Sequence, residues 1–341
     1  MKEIQPKEFE IAPGASWLVT GGAGFIGSHL VRSLLGFDQR VVVVDNFQTG
    51  KRANLAAACG GLDQEQVGRL RVIEGDLADP AICDLAVEGV DFVLHQAALG
   101  SVPGSIDDPV GTHGANVEAT VRLLDAARRA GVRRLVYASS SAVYGDDARL
   151  PKVEGQEGRV LSPYAAHKAA CELNAGVYSD CYGIETVGLR YFNVYGARQD
   201  PRGAYAAVIP QWISTMLGGE TVKINGDGET SRDFVAVADV VRANLMAATR
   251  PLGRAATVCN VASGQATSLN QLYALLRRAV EERRPGLEVK AAEYRDFRHG
   301  DIRHSHADTA LARKLIGFEA EVAMEEGIDM AMDWYIASEA R

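Results

Sequence analysis

Glycines at positions 21, 24 and 27 follow directly on the apolar run Trp17-Leu18-Val19-Thr20 and open a helix-patterned stretch at 26–35. A strand that hands over to a helix through G-x-x-G-x-x-G leaves the chain few folds to choose from. Such spacing gives a tight turn, close backbone approach to a ligand, and free amides at the helix amino terminus that face negative charge. The anion it suits is a dinucleotide pyrophosphate. With 35 glycines a triplet arises easily by chance, so its place between strand and helix carries the inference.

The first half of the chain repeats the alternation. Strand-like, β-branched runs at 16–20, 40–46, 70–76, 91–97 and 134–140 are separated by helix-like stretches at 26–35, 51–58, 81–87 and 116–130. This predicts an α/β fold, a Rossmann-like doubly wound parallel sheet with helices on both faces and ligands at the carboxyl ends of its strands. A long helix at 163–182 and a strand at 186–191 follow, and 237–248 and 257–262 read as a helix and strand returning to that sheet. The remainder suits a smaller α/β lobe that closes over the strand ends. Two interleaved units are expected: residues 1–190 plus about 236–265 for the dinucleotide, and about 191–235 plus 266–341 for a substrate.

Charge narrows the partners. A net charge of -8 over 341 residues argues against a nucleic-acid or anionic-membrane surface. No apolar run approaches the ~20 residues that span a bilayer, and residues 1–16 show no signal-peptide core. The five cysteines Cys59, Cys83, Cys171, Cys181 and Cys259 have no C-x-x-C spacing, which predicts free thiols and a cytoplasmic location. The histidines match no metal-ligand pattern, so no metal is expected.

Asp45 closes the second strand 18 residues after Gly27, where a carboxylate accepts hydrogen bonds from a ribose diol and repels a 2′-phosphate. NAD is therefore favoured, with Arg52 leaving NADP as the lesser alternative; the plainer reading of Asp45 is a strand-end turn residue. Asp76, at the end of the third strand, is placed for the adenine edge, and Gln96-Ala97-Ala98, after the fourth, gives a cofactor room. Tyr164 and Lys168 stand four apart on one helix face. An ammonium beside a phenol favours the phenolate, so Tyr164 can act as general base at a substrate hydroxyl while Ser140, 24 residues upstream, bonds the same oxygen. A Tyr–Lys pair alone is common on surface helices. Joined to the glycine loop and Ser139-Ser140-Ser141, it describes hydride chemistry on a carbinol.

These motifs resemble the extended short-chain dehydrogenase/reductase superfamily and its nucleotide-sugar branch. The resemblance runs through 20–27, Asp45-Asn46-Phe47-Gln48-Thr49-Gly50, His95-Gln96-Ala97-Ala98, 137–145, 162–168, 190–196, 226–234 and 295–305. Within the branch the chain is most similar to bacterial UDP-N-acetylglucosamine 4-epimerases of surface-polysaccharide pathways. The resemblance implies tightly held NAD, with contacts also from Phe25, Ile26, Asn46, Thr49, Gly50, Leu77, Asn116, Ser139, Tyr164, Lys168 and Tyr191. For a UDP-sugar it implies Asn193, Ala207, Val208, Ile224 and Asn225, with Ser101, Val102 and Ser141 beside Ser140 and Tyr164 at the sugar. Arg232 and Arg298 match arginines that hold the pyrophosphate, salt bridges within the lobe being the plainer alternative. Ser305 is small where a bulky residue blocks an N-acetyl group in similar enzymes.

Dehydratases and decarboxylases of this branch carry acids where Ser141 and Ala142 stand, so the resemblance implies epimerisation at carbon 4 through a transient 4-keto sugar. A homodimer through helices 116–130 and 163–182 is implied as well. UDP-glucuronate or UDP-glucose as substrate, and a non-catalytic NAD-sensing protein, are the alternatives.

Overall fold

The computed structural model describes residues 9, 11, 14–202, 206–253, 255–297 and 302–339. Seven parallel strands form its centre: β1 (Ser16–Thr20), β2 (Arg40–Asp45), β3 (Leu70–Glu74), β4 (Phe92–His95), β5 (Arg134–Ser140), β6 (Glu185–Tyr191) and β7 (Ala256–Val261). Their order is β7-β6-β5-β4-β1-β2-β3. The chain therefore leaves β1 in one direction and resumes at β4 in the other, opening a crevice at the carboxyl ends of these two neighbours. Three strands end one or two residues before the apolar runs at 40–46, 70–76 and 91–97 do. Asn46, Asp76 and Gln96-Ala97 are released from the ladder to face that crevice.

Alternation along each strand feeds two cores. Trp17, Val19, Val41 and Val43 pack on one side with Leu30, Leu34, Val240 and Leu245. Leu18, Val42 and Val44 pack on the other with Leu123, Leu124 and Ile184. A third cluster, around Trp212, Ile213, Phe234, Leu272, Leu276 and Met332, is the core of the smaller lobe. Short sheets frame it: Asn193–Tyr195 with Phe234–Ala236, Lys223–Asn225 with Glu293–Arg295, and Ser231–Arg232 between Thr267–Ser268 and His304–Ser305. The helix Ala310–Ile316 is lobe by sequence position, yet Ala312 and Ile316 pack on the first sheet core.

The helix Pro163–Tyr182 has the bounds its sequence signals. Ser162 accepts the Ala165 amide as N-cap, Pro163 takes the first helical position, and Gly183 ends the helix at φ 74. The stretch at 116–130 begins instead as a π-helical turn, Gly114–Glu118, before Ala119–Arg129. All five cysteines are free. Among the described residues no helix is long and apolar enough to cross a membrane.

Candidate active site

A cleft of about 780 Å³ opens along the carboxyl ends of the strands. Its floor begins at the glycine loop. Gly21 adopts φ +65, where a Cβ would lie 2.8 Å from the Ala97 amide nitrogen, and a Cβ on Gly27 would lie 2.1 Å from the Gly21 carbonyl oxygen. Side chains are excluded there by backbone, so the helix Phe25–Gly36 can approach the loop closely. Its N-cap is Gly24 and no side chain caps it, which leaves first-turn amides to an anion from the cleft. Cradle and open helix end fit a dinucleotide.

Asp45 is buried at the end of β2. Its two oxygens accept the amides of Ala23 (2.9 Å) and Phe47 (2.8 Å), bracing the glycine loop. Each oxygen keeps a lone pair, so one carboxylate can both hold the loop and receive a ribose diol. Asp76 accepts from Asn46 Nδ2 at 2.9 Å and from the Ala78 amide at 2.8 Å.

A closed polar ring lies beneath the cleft. The Tyr191 hydroxyl donates to Gln96 Oε1 (3.1 Å) and accepts from Asn244 Nδ2 (2.8 Å), while Gln96 Nε2 donates to Asn244 Oδ1 (3.0 Å). Burial pushes the Tyr191 phenol up, which makes it a fixed hydrogen-bonding group rather than a base. Behind it, Thr120 donates to the Asn116 carbonyl and so accepts from His95 Nε2 at 2.9 Å; His95 Nδ1 then accepts from Thr20 at 2.7 Å. Burial, with the nearby Lys168 charge second, pulls His95 down to about 3. It is neutral at any ordinary pH.

Strand β5 and the helix Pro163–Tyr182 carry the candidate reactive groups. Lys168 is buried, donates to the Ala138 carbonyl at 2.8 Å and lies 5.9 Å from the Tyr164 ring centroid. The Tyr164 amide donates to Ser105 Oγ at 3.0 Å, which fixes the first turn of the helix. Ser140 Oγ accepts the Ala142 amide at 3.2 Å, leaving its proton for a ligand. Ser139, Ser140, Tyr164 and Lys168 all border the cleft.

Gly21, Gly24, Phe25, Ile26, Gly27, Asp45, Asn46, Thr49, Gly50, Asp76, Leu77, Gln96, Ala97, Ala98 and Tyr191 line the cleft as well, and so do Asn193, Ala207, Val208, Asn225 and Arg232. Six further residues singled out from sequence do not border it. Asn116 stands behind the wall, where its amide group binds both the amide and the carbonyl of Leu99 (2.8 and 3.1 Å). Ser101 caps the helix Val102–Asp107, accepting the Gly104 amide at 2.9 Å; Val102 is exposed and Ser141 begins a 3₁₀ turn. Ile224 is fully buried in the lobe core, whereas its neighbours Lys223 and Asn225 face the cleft. Ser305 pairs through its backbone with Arg232. Arg298 lies outside the described residues.

Sequence reasoning missed Leu99, Gln199, Trp212, Lys223 and Phe234 in the wall. Lys223 alone had a local signal, since period-two alternation places 223 and 225 on one strand face and 224 on the other.

The sequence matches the family described as NAD dependent epimerase/dehydratase over residues 17–262. The UDP-glucose 4-epimerase of Mycolicibacterium smegmatis is 37% identical over 320 residues, 93% of this chain and 97% of that protein. The UDP-glucuronate 4-epimerase of Thermodesulfobacterium geofontis is 30% identical over 320 residues, 93% and 95% of the two chains. Among solved structures, the UDP-N-acetylglucosamine 4-epimerase from Methanobrevibacter ruminantium, in complex with UDP-N-acetylmuramic acid, aligns with a TM-score of 0.86 and 37% identity over 96% of this chain and 100% of that one.

Proposed function

Because the chain belongs to the NAD-dependent epimerase/dehydratase family, we infer that it is an NAD-dependent UDP-sugar 4-epimerase, and we propose UDP-N-acetylglucosamine and UDP-N-acetylgalactosamine as the pair it interconverts. One observation carries the reading: a single cleft is bordered by the glycine loop, by Ser140, Tyr164 and Lys168, and by Asn193, Asn225 and Arg232 of the lobe. Residues suited to a dinucleotide, to proton transfer and to a nucleotide-sugar thus line one volume.

When bound, NAD supplies a reversible acceptor for the hydrogen on carbon 4 of the sugar. The chain's residues do the rest. Lys168 is fixed by the Ala138 carbonyl one helical turn from Tyr164, and the Tyr164 oxygen takes the 4-hydroxyl proton. Ser140 donates its free proton to the same oxygen and steadies it as it becomes a carbonyl. Arg232 presents a planar guanidinium to the pyrophosphate, an anchor about which the keto sugar turns to offer its other face. Tyr164 then returns the proton. Ser141 and Ala142, where dehydratases of similar sequence carry acids, supply neither acid nor base for a competing elimination.

On this reading Ser305 acts from behind the wall: it does not border the cleft, but its backbone pairs with that of Arg232, which does, and a small residue there keeps that strand out of the room an N-acetyl group needs. Ser305→Tyr is expected to lower kcat/KM for UDP-N-acetylglucosamine at least about tenfold, on the scale of one lost substrate contact, and to spare UDP-glucose. Parallel kinetics on the two sugars check this; equal losses on both would reject it. The function itself is tested by incubating the purified protein with UDP-N-acetylglucosamine, without added NAD, and resolving the epimers by chromatography. Recovery of starting material alone would overturn the substrate assignment. Five free thiols suit the proposed setting, precursor synthesis for surface polysaccharides in a reducing cytoplasm.

We also propose a homodimer. Leu173 and Val177 stand one turn apart on the helix Pro163–Tyr182 and are 73% and 56% exposed, an apolar stripe that a second copy would cover. Leu173→Glu is expected to halve the mass seen by analytical ultracentrifugation, and a wild-type monomer would end the proposal.

A further inference from the structure

We propose that Glu172 is a positioning residue for the Tyr164–Lys168 couple, an inference that rests on the epimerase reading only for its kinetic test. Tyr164, Lys168 and Glu172 recur every fourth residue along Pro163–Tyr182 and so share one helix face. The end of β5 meets that face residue by residue. The Ala138 carbonyl accepts Lys168 Nζ at 2.8 Å, Ser139 Oγ donates to Glu172 Oε1, and Ser140 borders the same cleft as Tyr164. Glu172 is further gripped by Arg190 of β6, whose Nε reaches Oε1 at 2.9 Å and whose Nη2 reaches Oε2 at 2.7 Å. Both side chains are largely buried, at 13% and 6% exposure.

Arg190 is itself immobilised. Its Nη1 donates to Glu157, and its guanidinium lies 5.0 Å from the ring centroid of Tyr144, in the turn that follows Ser140. Neither Glu172 nor Arg190 borders the cleft, so any effect on chemistry passes through the groups they hold. A buried ion pair seldom stabilises a fold more than apolar side chains of the same volume would. What it adds is direction: a forked guanidinium on a carboxylate accepts one geometry, whereas an apolar seam lets a helix slide or roll. Glu172 thereby fixes, one turn below Lys168, the height at which the ammonium meets the Ala138 carbonyl and the phenol meets its substrate.

Glu172→Ala is expected to lower kcat about 10- to 100-fold per NAD-loaded molecule, the scale of a misplacement near 1 Å, with the KM for UDP-N-acetylglucosamine within about twofold and NAD content unchanged. Glu172→Gln, which keeps an oxygen for Ser139 and for Arg190 Nε, is expected to restore most of the rate. A residue that served stability alone would lower the melting temperature of both variants and leave kcat per loaded molecule intact; that result, or a raised KM at constant kcat, overturns the proposal. Wild type in the same assay tests the epimerase reading separately. A crystal structure of Glu172→Ala decides the matter whatever the substrate: Lys168 Nζ is expected to leave the Ala138 carbonyl, and a retained contact refutes the assignment.

Discussion

Tyr164→Phe is expected to slow epimer interconversion about 10²- to 10⁴-fold, the range that general acid–base catalysis contributes, while the protein still carries its NAD. The substitution removes one oxygen. The helix that bears it is held elsewhere, by the Tyr164 amide on Ser105 and by Lys168 on the Ala138 carbonyl, so the fold and the glycine loop have no reason to change. Ser140 remains at the cleft, yet a serine hydroxyl beside its own turn amide can donate a hydrogen bond but is far too weak an acid for its alkoxide to be populated. His95 cannot substitute, because burial keeps its pKa near 3 and both ring nitrogens are engaged by threonines. The measurement is the time course of the two epimers by chromatography, beside the absorbance of cofactor extracted from the same preparation. An unchanged rate with full cofactor would mean that the sugar proton travels by another route.

What the sequence disclosed and what it hid separate by range of interaction. The glycine loop, the helix from Pro163 to Tyr182 and the seven-stranded alternation were legible because each is written in neighbouring residues: a cap, a proline, a closing glycine, a period of two. The strand ends were less so, since Asn46, Asp76 and Gln96 look like continuations of apolar runs until a cleft exists for them to face. The ring of Gln96, Tyr191 and Asn244 closes over sequence gaps of 95 and 148 residues, and no local pattern announces it. Ser101 and Ile224 show the opposite case. Each was expected at a ligand from its residue type, and neither borders the cleft, because Ser101 has a helix to cap and Ile224 a strand face that turns it into the core. Ala310–Ile316 belongs to the sheet side for the same reason, its apolar face being compatible with either core until the chain's path is fixed.

Gly27→Ala is expected to strip the purified protein of most of its NAD, to below about a tenth of wild-type content, although the change adds a single methyl group. That carbon would sit 2.1 Å from the Gly21 carbonyl oxygen and 2.8 Å from the Gly22 Cα. Both are backbone, so neither can rotate aside, and the helix Phe25–Gly36 must lift from the loop. Overpacking of this kind costs about 1–3 kcal/mol in stability, which a large α/β core can absorb. Dinucleotide binding cannot absorb the displacement, because it works through amides whose aim is set by the distance between loop and helix. Gly36→Ala, at the far end of the same helix, is the matched control: nothing lies within 4 Å of its added carbon, and a small gain in stability from a stiffer unfolded chain is expected. Cofactor content by absorbance after denaturation and a thermal melt of each variant separate the outcomes. If both retain wild-type NAD, the close approach at Gly27 is a packing feature with no bearing on the dinucleotide. If only Gly27→Ala loses it, and excess NAD brings back part of the turnover, then the spacing of three glycines is what holds the cofactor through each catalytic cycle.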